Sequence, residues 1–206
     1  GRGQWRAALA LLRAMPGLRV APSVISCNSA ISACDKGGQW QAALALLRSL
    51  PLLRLAPDVI SCSAVMSACE RCGQWQRGFE VFGLMLQLRI APDVISCNAV
   101  MSVCEKGGQW QHANAVFVSM PALRAIPDAV SCNIAIRGCN AGGQWQRALA
   151  LFDLMPRRRI TPDAVSCSAA ITACEWGGQR QIATSIFRYL NALNVHPREW
   201  ASQLCS

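Results

Sequence analysis

The sequence predicts an all-α solenoid of stacked helix-turn-helix pairs, and three observations support this. Tryptophan and proline each recur every 35 residues. Within each interval, apolar residues fall at three-and-four spacing in two short segments, which is typical of amphipathic helices. A glycine-containing turn separates the segments, and such a short helix pair cannot bury its apolar face alone, so neighbouring pairs must stack. The recurring residues are Trp5, Trp40, Trp75, Trp110 and Trp145, and Pro22, Pro57, Pro92, Pro127, Pro162 and Pro197.

The period divides the chain into five full units between two incomplete ones. Residues 1–23 form a partial repeat, the units are 24–58, 59–93, 94–128, 129–163 and 164–198, and residues 199–206 form a C-terminal stub. We expect all of them to belong to one continuous solenoid domain. Because the first residue falls inside a unit, we also expect this chain to be a piece of a longer array.

The third unit illustrates the elements of every unit. Its apolar pattern predicts a first helix over Val94–Lys106, which ends at Gly107-Gly108 because glycine readily adopts the left-handed conformation that terminates helices. A second helix is predicted over Gln109–Met120, and two prolines beyond it prevent continuation. Asp128 then suits the N-cap of the next first helix.

The cysteines are predicted to be buried apolar residues. Most form pairs seven residues apart, so on a helix the two thiols lie two turns and about 10 Å apart, beyond the reach of a disulfide. A zinc site needs four clustered ligands, and the chain has two histidines, His112 and His196. We therefore expect no metal and a reducing compartment. The pairs are Cys27/Cys34, Cys62/Cys69, Cys97/Cys104, Cys132/Cys139 and Cys167/Cys174, with Cys72 and Cys205 left over.

The charge of the chain favours a polyanionic partner. The net charge is +9, from 20 lysines and arginines against 11 aspartates and glutamates, which favours nucleic acid ahead of a membrane surface. The apolar runs, such as Ala42–Leu47, are far shorter than the ~20 residues of a membrane-spanning helix. We expect a soluble protein with no membrane partner.

Three recurring strings, "VISCN", "RIAPD" and "GGQWQRALALF", resemble the pentatricopeptide repeat family with its 35-residue P-type repeats. The tetratricopeptide repeat has about 34 residues and a different signature. The resemblance implies a right-handed solenoid that binds single-stranded RNA, one base per repeat, in a plastid or, second, a mitochondrion. One departure is Cys62 and its equivalents, where the family usually has an aromatic residue.

The resemblance assigns base reading to the residue after the first cysteine of a unit and the residue after its closing proline. An ionised aspartate only accepts hydrogen bonds, so it favours uracil and guanine, which present an N–H donor at the middle of the Watson–Crick edge. In the family, Asn with Asp prefers U and Ser with Asp prefers G, which gives 5′-UGUU-3′ for units one to four, with the donor Arg198 leaving unit five unread. The pairs are Asn28 with Asp58, Ser63 with Asp93, Asn98 with Asp128, Asn133 with Asp163, and Ser168 with Arg198.

Two further rows of residues follow from the resemblance. Apolar residues three positions before each Asn or Ser sandwich the base in the family, although the same residues would also suit an ordinary core. Basic residues at the ends of the first helices contact phosphate, and Ala141 and Trp176 replace them later in the chain. The apolar row is Ile25, Ile60, Ile95, Val130 and Val165, and the basic row is Lys36, Arg71 and Lys106.

No sequence motif supports catalysis. The deaminase signature, H-x-E followed by P-C-x-x-C, begins at neither histidine, and the repeated aspartates are too far apart in sequence to indicate a nuclease cluster. We expect no catalytic residues, no cofactor and no small-molecule substrate. Two alternatives remain: a tetratricopeptide-like scaffold that binds proteins, and a purely structural array. The switch between Asn and Ser in otherwise similar units favours RNA over both, and other proteins could bind through regions outside this chain.

Overall fold

A computed structural model describes residues 4–193 of the chain, with side chains for residues 4–190. These residues form eleven α-helices and two 3-10 helices, with no strand among them, which confirms the all-α prediction. The α-helices are α1 (Gln4–Ala14), α2 (Val24–Lys36), α3 (Trp40–Ser49), α4 (Val59–Arg71), α5 (Trp75–Gln87), α6 (Val94–Lys106), α7 (Trp110–Ser119), α8 (Ala129–Ala141), α9 (Trp145–Arg157), α10 (Ala164–Gly177) and α11 (Arg180–Leu193). The 3-10 helices are Pro16–Leu18 and Pro51–Leu53.

The helix boundaries follow the local signals in the sequence. In the third unit, α6 spans the predicted Val94–Lys106, and α7 spans Trp110–Ser119, one residue shorter at each end than predicted. Gly107 keeps a negative φ of −80°, whereas Gly108 has a φ of +70° and supplies the left-handed turn. A residue with a Cβ would be strained at Gly108, which explains why the turn ends with glycine.

The helices form two layers. The first-helix layer consists of α2, α4, α6, α8 and α10, each packed against the next. The second-helix layer consists of α3, α5, α7, α9 and α11, and each of its members packs on its own first helix. Between residues 4 and 193, no two members of the second-helix layer pack together. The array therefore curves with the first-helix layer on its concave side.

The core runs without interruption between the two layers. The paired cysteines are all buried in it, together with methionines such as Met66, Met101 and Met155. Burial raises the pKa of the Cys62 and Cys104 thiols to about 11, because a thiolate is poorly solvated there. The prediction that these cysteines act as small apolar residues is confirmed for the ten paired ones. Cys72 is half-buried, and Cys205 lies outside the described residues.

The periodic tryptophans join one unit to the next. Trp75, at the start of α5, lies against Gly107 of the following unit so closely that a Cβ on Gly107 would come within 2.6 Å of its ring. Trp5 lies against Gly37 and Trp145 against Gly177 in the same way. These periodic tryptophans therefore pack between units, whereas Trp176, which is off the period, is 69% exposed.

This packing predicts that Gly107→Ala destabilises the array. The added methyl group would overlap Trp75, and overpacking of this kind costs about 1–3 kcal/mol. The matched control is Gly83→Ala in α5, where a Cβ would meet nothing within 4 Å. That change should stabilise the protein by roughly 0.5–1 kcal/mol, the helix-propensity difference. Urea unfolding followed by circular dichroism measures both, and equal effects of the two changes would contradict the packing role.

Burial also predicts the reactivity of the thiols. In a Cys205→Ser variant, we expect one fast-reacting thiol, Cys72, when a disulfide reagent is added to native protein at pH 8. The ten buried cysteines should react only as the protein unfolds, since burial both shields them and raises their pKa. Adding Cys72→Ser should remove the fast phase, and several fast thiols in that double variant would show that the core is open.

Candidate nucleic-acid interface

Each first helix begins with the same polar cap. Asp58, Asp93, Asp128 and Asp163 are the N-caps of α4, α6, α8 and α10, and the side chain of each accepts a hydrogen bond from the backbone N–H three residues later. The hydroxyl oxygen of the serine at that third position in turn accepts a hydrogen bond from the N-cap backbone N–H, which completes a capping box. The predicted capping role of these aspartates is therefore confirmed. Ser23 caps α2 in the same manner.

Three of the predicted pairs are joined by hydrogen bonds between one first helix and the N-cap of the next. Asn28 in α2 donates from Nδ2 to both carboxylate oxygens of Asp58, each at 3.1 Å. Asn133 in α8 donates to Asp163 at 3.2 and 3.3 Å. Asn98 in α6 donates to Oδ1 of Asp128 at 3.3 Å. The structure thus brings together residues that are 30 positions apart in the sequence.

The two oxygens of each carboxylate accept different hydrogen bonds. In Asp58, Oδ1 accepts the Ser61 backbone N–H at 2.7 Å and the Ser61 hydroxyl at 2.6 Å, whereas Oδ2 has no partner besides Asn28. In Asp128, the hydrogen bonds from Ser131 and Asn98 all fall on Oδ1. A carboxylate oxygen can accept two hydrogen bonds, so Oδ2 keeps acceptor capacity for a ligand while Oδ1 holds the helix.

These carboxylates stay ionised at neutral pH. Burial alone would raise the pKa of Asp58, but the hydrogen bonds from Ser61 and Asn28 together outweigh it and hold the pKa below its ordinary value. The same balance lowers the pKa of Asp128, through Ser131 and Asn98, and of Asp163, through Ser166 and Asn133. Each is therefore a hydrogen-bond acceptor with a full negative charge.

The Ser63 and Asp93 pair differs from the others. No hydrogen bond joins these two described side chains, because serine is too short to span the gap that asparagine bridges. The Ser63 hydroxyl is instead buried without a partner. Oδ1 of Asn28 and of Asn133 is likewise buried and unpartnered. Ser168 is exposed at the start of α10, and Arg198, its predicted partner, lies outside the described residues.

The apolar row is exposed, which excludes the interpretation of these residues as an ordinary core. Ile25 is 78% exposed and Ile95 70% exposed, and the other members are also well exposed. These residues do not belong to the core. A row of large apolar side chains in solvent, one per repeat, instead offers flat contact surface to a ligand.

The basic row is exposed but partly neutralised. Arg71 Nε lies 3.0 Å from Asp35 Oδ1, and Lys106 Nζ lies 2.7 Å from Glu70 Oε1, each in an ion pair with the preceding unit. Lys36 has no ion-pair partner among the described residues. A phosphate would therefore compete with an acidic side chain at Arg71 and Lys106.

A groove of about 500 Å³ between α8 and α10 contains an arginine that the sequence comparison of units had not singled out. It is lined by Ser168 and Val165 from the predicted rows, and by Arg137 and Asn140 from α8. Arg137 replaces the serine found at this position in the first three units, Ser32, Ser67 and Ser102. That break in the period was the sequence signal that could have identified Arg137. In the same groove, Oδ1 of Asn140 is buried without a partner.

The described residues contain neither a metal-binding cluster nor a membrane-spanning helix. Among the described residues, no group of three histidine, cysteine, aspartate or glutamate side chains is placed to hold a metal ion. Cys72, of the single C-x-x-C sequence, contacts the Gly38 carbonyl oxygen at 3.3 Å instead. None of the helices between residues 4 and 193 combines the length and apolar character needed to cross a membrane.

The stacked helix pairs, with one polar pair per repeat, define a helical-repeat protein of the α-solenoid class. The sequence model of the PPR repeat family matches residues 127–175, that of the pentatricopeptide repeat domain matches residues 45–107, and that of the PPR repeat matches residues 95–124. The chain belongs to the pentatricopeptide repeat family. Comparison with curated proteins gives no match.

Solved structures of this family share the fold. The crystal structure of the pentatricopeptide repeat protein PPR10 from maize matches 98% of this chain at 26% identity with a TM-score of 0.70. PPR10 in complex with an 18-nt psaJ RNA element matches 84% of this chain and 25% of that chain, at 29% identity with a TM-score of 0.68. The PPR domain of Arabidopsis thaliana protein-only RNase P 1 in complex with tRNA has a TM-score of 0.71 at 16% identity, over 84% of this chain and 91% of that domain. This chain spans 29% of the maize PPR10 chain.

The capping aspartates predict how stability depends on pH. Because the pKa values of Asp58, Asp128 and Asp163 are lowered by folding, their stabilisation is fully present above the unfolded value of about 3.9 and is lost as the pH falls through the folded values. A variant with all three changed to Asn keeps good N-caps but lacks these charges. Urea unfolding from pH 6 to pH 2.5 should show a steeper acid loss for the unmodified chain.

The control for that experiment is Asp153→Asn, at an exposed aspartate that pairs with Arg157 within α9. An exposed ion pair of this kind contributes little, so the acid profile should barely change. Identical acid profiles for the unmodified chain and the triple variant would show that the capping carboxylates carry no linked stability.

Proposed function

We propose that this chain binds single-stranded RNA in a sequence-specific manner, one base per 35-residue unit. The observation that carries the proposal is the recurrence of an ionised capping aspartate beside an Asn or Ser of the preceding first helix. Units 24–58, 59–93, 94–128 and 129–163 act as the reading modules. Their target is 5′-UGUU-3′, with the first unit at the 5′ end.

Related structures support the RNA partner. PPR10, at 29% identity, was solved with an 18-nt psaJ RNA element bound. The structural match to that complex covers 84% of this chain. The net charge of +9 agrees with a polyanionic ligand.

The two kinds of pair differ in a way that suits the two bases. Oδ2 of each aspartate has capacity to accept the N–H at the middle of the Watson–Crick edge of uracil or guanine. Asparagine occupies more of the space beside the aspartate than serine does. We therefore assign the smaller base, uracil, to Asn28, Asn98 and Asn133, and the larger base, guanine, to Ser63, whose hydroxyl is buried and unpartnered.

The exposed apolar row would hold the flat faces of the bases. Ile25 and Ile60 flank the first reading pair, and each later base lies between two successive members of the row. In the basic row, Lys36 is free to bind phosphate, whereas Arg71 and Lys106 would exchange an acidic partner for it. We propose that this set acts by binding alone, within a plastid or mitochondrial RNA-processing, stability, editing or translation step, with the plastid preferred.

Binding to short single-stranded RNAs tests the proposal. An RNA containing UGUU should bind more tightly than one containing UAUU or a scrambled sequence. By analogy with direct base readout on DNA, the loss from G to A should be ~1–3 kcal/mol, or about 5- to 100-fold in Kd. A Ser63→Asn variant should reverse the preference at that position and bind UUUU more tightly than UGUU.

The matched control is Ser67→Asn, which makes the same substitution one turn further along α4. It should leave the preference for UGUU unchanged. Equal binding of all RNAs, with a steep salt dependence, would show that only the basic surface is at work. Binding of peptides in place of RNA would favour the protein-scaffold alternative.

A further inference from the structure

Five arginines adopt an unusual backbone conformation at the junctions between units. Each follows a second helix, or α1 in the partial repeat, and each has a positive φ between 57° and 61°. They are the only residues other than glycine with a positive φ in the described part of the chain. The arginines are Arg19, Arg54, Arg89, Arg124 and Arg159.

The hydrogen bonds around these arginines explain the conformation. The Arg54 N–H donates to the Pro51 carbonyl at 3.0 Å, and the next N–H, of Leu55, donates to the Leu50 carbonyl at 2.9 Å. The same pair of bonds recurs at Arg89 and Arg124. This left-handed closure of a helix end normally takes glycine, because a Cβ is disfavoured there. Arginine at this position therefore lowers stability in every unit, so helix termination alone does not account for it.

The side chains of these arginines are exposed and have no partner. Within the described residues, no ion pair, side-chain hydrogen bond or aromatic contact involves their guanidinium groups. The basic row at the other end of the first helices is different, since Arg71 and Lys106 are paired with acids and the row stops before Ala141. The arginines at the junctions run from the partial repeat through the fourth unit, and Asn194 takes the position in the fifth.

The position of the arginines matches the register of the base readers. Each lies four residues before a capping residue, as Arg54 lies before Asp58, so the two Cα atoms are at most ~14 Å apart along extended chain. Asn28 is the fifth residue of the 13-residue α2, and Lys36 is the last, about 12 Å further along the axis. Asp58 itself lies further from the basic row, because Arg71 ends α4 13 residues later, about 20 Å along the helix axis. The aspartates are therefore nearer to the arginines of the junctions than to the basic row.

We propose that these arginines form a phosphate-binding edge, one guanidinium per unit, for the backbone of the same RNA strand whose bases the aspartates read. The inference rests on the proposed function. A guanidinium presents a planar fork of donors that fits a phosphate bidentately. A row with one cation per unit matches a strand that advances by one nucleotide per unit. Neither a membrane surface nor a compact acidic peptide requires cations at that regular spacing.

The left-handed conformation gives this proposal a sharp test. In a variant with Arg54→Gly, Arg89→Gly and Arg124→Gly, the thermal midpoint should stay unchanged or rise, since glycine suits the backbone there. Its affinity for UGUU RNA should fall on the order of 10- to 100-fold at 0.1 M salt, and the slope of log K against log salt should become shallower by about 2. The preference for UGUU over UAUU should remain, because the base readers are intact.

Two matched variants separate phosphate contact from general charge. Changing the same three arginines to lysine keeps both the charge and the backbone strain, so it should retain most of the salt slope. Arg48→Ala, Arg77→Ala and Arg147→Ala remove the same charge from exposed positions on the second-helix layer and should affect affinity little.

The outcomes distinguish this inference from the proposed function. An unchanged affinity and salt slope in the glycine variant, with UGUU preference retained, would overturn the arginine edge alone. An equal loss in the second-helix-layer variant would also overturn it, because net charge would then suffice. Arginine-dependent binding to phosphatidylserine vesicles, with RNA affinity unaffected, would assign the edge to a membrane surface instead. If the unmodified chain bound no RNA at 0.1 M salt or below, the proposed function itself would fail.

Discussion

No helix pair in this chain buries its apolar face without the next pair, and the rest of the structure depends on that constraint. Each first helix packs against its neighbouring first helices, and Trp5, Trp75, Trp110 and Trp145 each lie against a glycine of the following unit. Close approach requires small residues on the receiving side. Glycine at position 107 leaves room for the Trp75 ring. The paired cysteines are small side chains that fit into the buried space between the helices. Stability is therefore a sum of similar contacts between neighbours, as expected for a solenoid.

The same constraint explains why structural and ligand-facing roles coincide in the aspartates. A helix that begins at a unit boundary needs an N-cap, and Asp58 meets that need with one carboxylate oxygen. Asn28 of the preceding first helix then orients the carboxylate from the side. Because the cap fixes the aspartate, variation falls on its neighbour, which is Asn in some units and Ser in another. A change from Asn to Ser alters the ligand-facing surface without disturbing the helix start.

The features that the sequence predicted well are those with local causes. The bounds of α6 were predicted to the residue, because a capping aspartate and a glycine turn mark its ends. The burial of the cysteines followed from their spacing. Features that depend on neighbouring units were harder to predict. The exposure of Ile25 depends on how the first helices pack, and the partner of Lys106 is Glu70 of the preceding unit. The left-handed conformation of the five junction arginines likewise appears only in the backbone of the structure.

The charges along the solenoid form a consistent arrangement. A row of aspartates along the first helices repels a ligand that carries one phosphate per nucleotide, so each proposed reading position needs a cation near it. The basic row provides this in the first three units only, and two of its members already pair with acids. In the protein without a ligand, acidic residues of the preceding unit pair with two members of that row. Part of the net positive charge therefore lies at the junctions. Arginines at these junctions, one beside each aspartate in the sequence, offset the repulsion locally and keep their guanidinium groups free. If a repeat reads a base with a carboxylate, as we propose, the neighbouring phosphate needs a cation, and the left-handed arginine is the residue of each junction that would provide it without occupying the reading surface.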